Sequence, residues 1–198
     1  MTLDRFYPIF DSPRWLDRML PLGVKLVQLR IKDTPEEELK RLIPEALAKC
    51  RAHGAVLVVN DHWRIAIDAG CDWVHLGQED LDTADLPAIR RAGLKVGIST
   101  HDHAELDRAL SLSPDYVALG PVYPTILKKM KWEQQGLDRV TEWKRLLGDL
   151  PLVAIGGMSV ARAEGAYRAG ADIVSVVTDI TLNDDPEGRT RQWIEATR

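Results

Sequence analysis

The chain has 198 residues, 45% of them hydrophobic and 28% charged, which suits one globular domain with a sizeable core and falls short of two. Its net charge of −4, from 26 basic against 30 acidic residues with no basic block or stripe, counts against a nucleic-acid partner. No apolar run approaches the ~20 residues of a membrane span, so the expected partners are small molecules and not a bilayer. Met1-Thr2-Leu3-Asp4-Arg5 leads into a strand-like run with no signal-peptide apolar region, and a cytoplasmic protein is expected. Cys50 and Cys71 match no disulfide framework or metal spacing and read as buried thiols.

In chain order the sequence alternates short β-rich runs with amphipathic stretches. Strands are expected over Phe6–Phe10, Leu26–Arg30, Val56–Asn60, Trp73–Leu76, Lys95–Ser99, Tyr116–Leu119, Leu152–Ile155 and Ile173–Val177. Between and after them fall helical patterns over Pro13–Leu20, Pro35–His53, Trp63–Ala69, Leu86–Ala92, Ala104–Leu112, Gly136–Leu147, Ser159–Ala169 and Pro186–Ala196. Thr34-Pro35 before three glutamates reads as an N-cap, a first-turn proline and acids on the helix dipole, and Ser159 reads as a second cap. Gly70, Gly93 and Gly170 each follow a helix and precede a strand, the pattern of a left-handed helix stop. Eight strands alternating with eight helices imply a parallel sheet covered by helices. The count fits a single (β/α)8 TIM barrel over residues 1–198, with a doubly wound open sheet as the structural rival. The rhythm breaks once, over residues 120–135, where two prolines and three lysines make a long loop after a strand, the usual place for a lid or binding loop.

In a barrel, the groups just past each strand converge on one face. Those positions hold Gln28, Arg30 and Lys32; Asn60 and Asp61; Gln78 and Asp80; Ser99; Thr125 and Lys128; Gly156 and Gly157; and Thr178. Any one alone is an ordinary strand ending, and Asp61 serves equally well as a helix cap. Together they offer carboxylates for Mg²⁺, cations for phosphate and amides for a heterocycle. Acids are poor strand residues, so Asp61 and Asp80 ask for a metal as their reason. Arg30 and Lys32 alternate and point the same way. The double glycine follows the seventh strand, where barrels often bind phosphate through backbone N–H groups. His75 reads as a packed barrel residue, and His101 and His103 as surface groups at a helix start.

The strings Gln28-Leu29-Arg30-Ile31-Lys32, Asn60-Asp61, His75-Leu76-Gly77-Gln78-Glu79-Asp80-Leu81, Gly97-Ile98-Ser99, Ala118 through Thr125, and Ala154-Ile155-Gly156-Gly157 resemble, in this order and spacing, the thiamine phosphate synthase family. The resemblance runs from about Phe6 to Ile180. It implies a (β/α)8 barrel that condenses a hydroxymethylpyrimidine diphosphate with a thiazole phosphate, giving thiamine phosphate and pyrophosphate with Mg²⁺ as cofactor. It also implies roles for named positions. Gln28, Leu29, Arg30, Ile31, Lys32, Asn60, Ser99 and Lys128 would hold the pyrimidine diphosphate, and Asp61 and Asp80 would bind Mg²⁺. Thr125, Ile126, Leu127, Gly156, Gly157, Val177 and Thr178 would line the thiazole side. Arg30, Lys32 and Lys128 would stabilise charge on the departing pyrophosphate.

Two strings depart from the family pattern, at three residues. Leu127 replaces the second hydroxyl of a Thr-x-Thr-Lys string, and Thr178-Asp179 replaces Ser-Ala, setting a carboxylate near the expected phosphate. The expectation is a weaker grip on thiazole phosphate, or a preference for a carboxylated thiazole. A related thiazole tautomerase is the first alternative, although its pattern has His where this chain has Pro121. A non-catalytic phosphate-binding barrel is the second. Six tryptophans in so small a barrel leave homo-oligomerisation open.

Overall fold

In the computed structural model, which describes residues 3–125 and 133–198, all eight expected strands form. They are β1 (Phe6–Phe10), β2 (Leu26–Leu29), β3 (Val56–Asn60), β4 (Trp73–Leu76), β5 (Lys95–Thr100), β6 (Tyr116–Leu119), β7 (Leu152–Ile155) and β8 (Ile173–Val176). Each pairs in parallel with its sequence neighbour, and β8 returns to β1 with Tyr7 opposite Ser175, closing the barrel. The open-sheet alternative is thereby excluded.

Period-two alternation explains both layers of the core. One set of side chains, including Leu26, Val58, Trp73, Tyr116, Val153 and Ile173, fills the barrel interior. The alternate set, including Val27, Leu29, Val59, Val74, Ile98 and Val174, packs outward under the helices. Two residues further along their strands, Leu26, Val58, Trp73 and Ile173 give way to Gln28, Asn60, His75 and Ser175, all buried. The interior therefore changes from apolar to polar toward the C-terminal ends of the strands.

The helices are α1 (Pro13–Met19), α2 (Glu36–Ala52), α3 (Trp63–Asp68), α4 (Leu86–Arg91), α5 (His103–Ser111), α6 (Gly136–Leu147), α7 (Val160–Arg168), α8 (Thr178–Thr181) and α9 (Pro186–Thr197). Gly70, Gly93 and Gly170 have positive φ, as their helix-stop reading requires. Thr34 is not a cap. Its hydroxyl donates to the Lys32 carbonyl at 3.0 Å, and Pro35 sits at the α2 N-cap with no side-chain bond. Ser159 does occupy the α7 N-cap but makes no capping bond there. The sequence reading also lacked α8, a single turn too short for periodicity to register.

At the opposite end of the barrel, aspartates lock the register. Asp115 accepts the Val96 N–H and Asp172 the Leu152 N–H, each at 2.8 Å. Each also pairs with a cation from the helix before the strand whose N–H it accepts, Arg90 of α4 and Lys144 of α6 respectively. A cavity of about 600 Å³ lies here, but Arg5 stacks on Tyr167, Lys95 on Trp73, and Lys144 pairs with Asp172. This is the face of a barrel where side chains serve stability. Cys50 and Cys71 are buried free thiols, as expected. No helix among the described residues is long and apolar enough to cross a membrane.

Candidate active site

The chemistry collects where the interior turns polar. Asp61 follows β3 with φ of 64°, a left-handed backbone uncommon outside glycine and a mark of local strain. Its N–H donates to the His75 carbonyl at 3.0 Å, and its carboxylate pairs with Lys32 across the β2–β3 mouth. It is not the cap of α3, because His62 holds that position. The strained turn aims the carboxylate at the site instead.

Asp80 opens a short 3₁₀ turn over Asp80–Asp82. Its Oδ2 turns back to accept the Gly77 N–H at 3.0 Å, and a Cβ at Gly77 would stand 2.9 Å from that oxygen. The two carboxyl groups share a hydrogen bond. Burial and then the Asp61 charge push Asp80 above the ordinary carboxylate range. Burial also pulls Asp61 upward, but the Lys32 and Asp80 hydrogen bonds outweigh it and leave Asp61 low. The two carboxyl groups are thus pushed in opposite directions, as happens when like charges are crowded together. No group of three or more metal-ligating side chains occurs among the described residues, so two carboxylates are the available protein ligands.

Arg30 and Lys32 are exposed beside this pair, and the intervening Ile31 is buried. Leu29 points into the outer core layer. Gln28 Nε2 donates to the Tyr7 hydroxyl at 2.9 Å, inside the barrel. His75 bridges Tyr116 and Ser99 through its two ring nitrogens. It is the packed, hydrogen-bonded residue expected of it, and burial lowers its pKa to about 4. Gln78 Nε2 donates to the Ser99 carbonyl at 2.8 Å. Two buried atoms at this mouth, Asn60 Nδ2 and Gln78 Oε1, have no hydrogen-bond partner, as has Ser175 Oγ deeper in the barrel. Buried polar groups left unpaired cost about 1–3 kcal/mol each, so the atoms at the mouth have hydrogen bonds to make with a ligand or an ordered water.

A second cavity, of about 460 Å³, opens between the double glycine and the start of α8, with Thr125, Gly157, Arg162, Thr178 and Asp179 in its lining. Gly156 and Gly157 have φ of 97° and 62°, and a Cβ on Gly157 would sit 2.3 Å from the Pro124 carbonyl oxygen. Both glycines are thus demanded by backbone geometry, and the cavity opens beside them. Arg162 was not anticipated. Its guanidinium lies 4.6 Å over the Tyr123 ring and donates to the Gly157 carbonyl at 2.5 Å. A basic residue one turn into the helix after a double glycine was the available signal.

Val177 precedes α8 and Thr178 begins it. Asp179 departs from its expected role. Its Oδ2 accepts the Trp193 Nε1–H at 2.8 Å and faces Arg189 at 3.7 Å, so α9 takes up the charge that was expected to oppose a phosphate. Ile126, Leu127 and Lys128, expected at this site, lie outside the described residues.

Comparison with known proteins gives a consistent result. Residues 6–180 match the family model described as thiamine monophosphate synthase. The thiamine-phosphate synthase of Rhizobium etli is 61% identical over 197 residues, covering 100% of this chain and 97% of the relative. That of Citrobacter koseri is 46% identical over 191 residues, covering 96% and 87%. Among solved structures, the thiamine phosphate pyrophosphorylase of Pyrococcus furiosus superposes with a TM-score of 0.86 at 24% identity, covering 98% of this chain and 95% of that one. At that identity the likeness speaks to the fold.

Proposed function

The chain belongs to the thiamine monophosphate synthase family, and from that premise we propose that its two cavities divide the substrates between them. The enzyme is a transferase of thiamine biosynthesis, joining a hydroxymethylpyrimidine diphosphate to a thiazole phosphate with release of pyrophosphate. In our reading the pyrimidine diphosphate enters the mouth of β2–β5. The thiazole phosphate lies between the double glycine and α8.

The observation that carries this division is the set of orphaned atoms beside the carboxylate pair. Asn60 Nδ2 can donate and Gln78 Oε1 can accept, so a ligand with both kinds of group satisfies them. The donor set also fits Mg²⁺, which favours one or two carboxylates completed by phosphate oxygens. Asp61 and Asp80 would hold it, and when bound it would neutralise charge on the diphosphate. Arg30 and Lys32 add positive charge where the C–O bond to pyrophosphate breaks, and stabilisation of developing charge is the largest lever in such a site. Departure of pyrophosphate leaves a cation delocalised over the pyrimidine, and the thiazole nitrogen supplies the electron pair that forms the new C–N bond. No protein nucleophile is needed. Arg162 and the turn at Gly157 support an anion on the thiazole partner.

The test is formation of thiamine phosphate from both substrates, titrated with Mg²⁺. Asp80→Ala should lower kcat by about 10²-fold or more with the circular dichroism spectrum unchanged. Full activity of that variant at limiting Mg²⁺ would overturn the metal assignment. Equilibrium binding of either substrate without turnover in the native protein would identify a binding barrel instead.

A further inference from the structure

Beneath the mouth runs a chain of buried hydrogen bonds: Gln28 to Tyr7 at 2.9 Å, Tyr7 to Tyr116 at 2.9 Å, Tyr116 to His75 Nδ1 at 2.8 Å, and His75 Nε2 to Ser99 Oγ at 2.7 Å. Gln28, Tyr7, Tyr116 and His75 are exposed by 2%, 1%, 0% and 7%, so bulk water does not reach it. Each hydroxyl in the chain has one proton to give, and a neutral imidazole has one. That makes the direction of the chain a matter of counting.

The Gln28 amide nitrogen is a donor only, so the Tyr7 oxygen accepts from it. The proton of Tyr7 then has one acceptor among the described residues, the Tyr116 oxygen. Ser175, opposite Tyr7 on β8, lies out of reach, its Oγ without any partner. Tyr116, already accepting from Tyr7, must send its own proton to His75 Nδ1. That nitrogen is therefore bare, and the imidazole proton sits on Nε2 and points at Ser99 Oγ. An imidazolium, or the opposite tautomer, would make Nδ1 a donor to Tyr116. Tyr116 would then have to donate to Tyr7, stranding the Tyr7 proton in the core. Because buried polar groups are almost always paired, that arrangement is disfavoured.

We infer that the Gln28–Tyr7–Tyr116–His75 chain holds His75 in its Nε2–H form and so frees the Ser99 hydroxyl proton for an anionic ligand at the barrel mouth. Ser99 is half-buried at the end of β5, and its Oγ accepts from His75. An accepting oxygen with a free proton is a donor toward a diphosphate. In the reverse wiring Ser99 would give its proton to His75 and turn lone pairs toward negative charge. Tyr7, Tyr116 and His75 are positioning residues, acting through Ser99 from inside the barrel. The inference rests on the reading that a diphosphate occupies this mouth. The tautomer itself does not depend on that reading.

Two measurements separate them. In the unliganded ¹⁵N-histidine-labelled protein at neutral pH, long-range ¹⁵N–¹H correlation should show His75 protonated on Nε2 and bare on Nδ1, assigned by loss of the signal in His75→Gln. A proton on Nδ1, or on both nitrogens, overturns the wiring whatever the enzyme's activity. The second measurement is a double-mutant cycle in the thiamine phosphate assay. Ser99→Ala and Tyr116→Phe should each lower kcat/KM for the pyrimidine diphosphate by about 10- to 100-fold, the loss of one hydrogen bond to a charged group, with the thiazole phosphate KM unchanged. The double variant should fall no further than Ser99→Ala alone. Additive losses, or an equal penalty from Tyr116→Phe on both backgrounds, would show that Tyr116 serves packing only. Should the native protein form no thiamine phosphate, the functional reading fails while the tautomer still stands or falls on the spectrum.

Discussion

A methyl group at Gly97 tests how tightly the barrel interior is filled. Gly97 lies on β5 opposite Tyr116 on β6, and a Cβ there would stand 2.0 Å from Tyr116 Cζ and 2.4 Å from both Cε atoms. Non-bonded carbons settle at roughly 3.5–4.0 Å, so the ring must retreat by about 1.5 Å. It has little room to do so, since it stacks on His75 with centroids 5.6 Å apart and leans on Trp73 at 5.9 Å. A shift of that size breaks the bonds of its hydroxyl to Tyr7 and His75. Overpacking costs about 1–3 kcal/mol, and each lost hydrogen bond about 1 kcal/mol. Gly97→Ala should therefore destabilise by about 3–5 kcal/mol. In a chain of this size that lowers the Tm by about 6–20 °C at ~2–4 °C per kcal/mol. Urea unfolding at 25 °C followed by circular dichroism, with calorimetry for the Tm, measures both quantities. A Tm within about 2 °C of the native value, with the near-ultraviolet spectrum unchanged, would refute the claim that the ring is locked against β5.

Three further outcomes follow from the geometry. Asp179→Ala should not tighten thiazole phosphate binding; it strands the buried Trp193 Nε1–H and lowers stability by about 1–3 kcal/mol in urea titration, and a lower thiazole KM would show that the carboxylate opposes the phosphate despite its α9 partners. Gly157→Ala should weaken the thiazole half selectively, raising the thiazole phosphate KM, because φ of 62° and the Pro124 carbonyl 2.3 Å away both resist a side chain; an equal rise in the pyrimidine diphosphate KM would contradict the division of the site. Burial pushes the Cys50 thiol up to about 12 and the Cys71 thiol up to about 11, from 9.0 in each case. Below pH 9 both states keep these protons. Above it the unfolded chain releases them first, so stability falls with rising pH by about 1.4 kcal/mol per unit for each thiol. Urea titrations of native protein and Cys50→Ala between pH 8 and pH 10.5 should show a shallower fall in the variant, and parallel curves would argue against a buried, protonated thiol.

Local patterns determine much of this protein. The eight strands are visible because residues such as Val56–Val59 and Tyr116–Leu119 are buried on both faces, and a strand without a polar face leaves an unbroken apolar run. Gly70, Gly93 and Gly170 declare the turns between helix and strand because only glycine enters the left-handed region freely. Strand order does not follow from these, since a doubly wound sheet arranges the same elements in another order, and only the pairing of β8 with β1 decides for the barrel. The positions of Gln28, Asn60, Asp61, Asp80 and Ser99 at strand ends are still legible, as every strand of a barrel presents its C-terminal end to one face.

What those residues do to one another is decided only by closure. Asp61 and Asp80 are nineteen positions apart, and they share a hydrogen bond because the β3–β4 pairing and a strained turn aim both at one point. Tyr7 and Tyr116 are separated by 109 positions and lie across the barrel, yet their contact sets the direction of the proton chain beneath the site. Asp179 shows the same limit from the other side. Its sequence neighbours place it near a phosphate, while Trp193 and Arg189 of α9, a helix the local pattern could not orient, hold its carboxylate. Backbone preferences are local energies and can be read in order along the chain. Charge, hydrogen-bond direction and crowding depend on distance in space, and those distances exist only once the eighth strand meets the first.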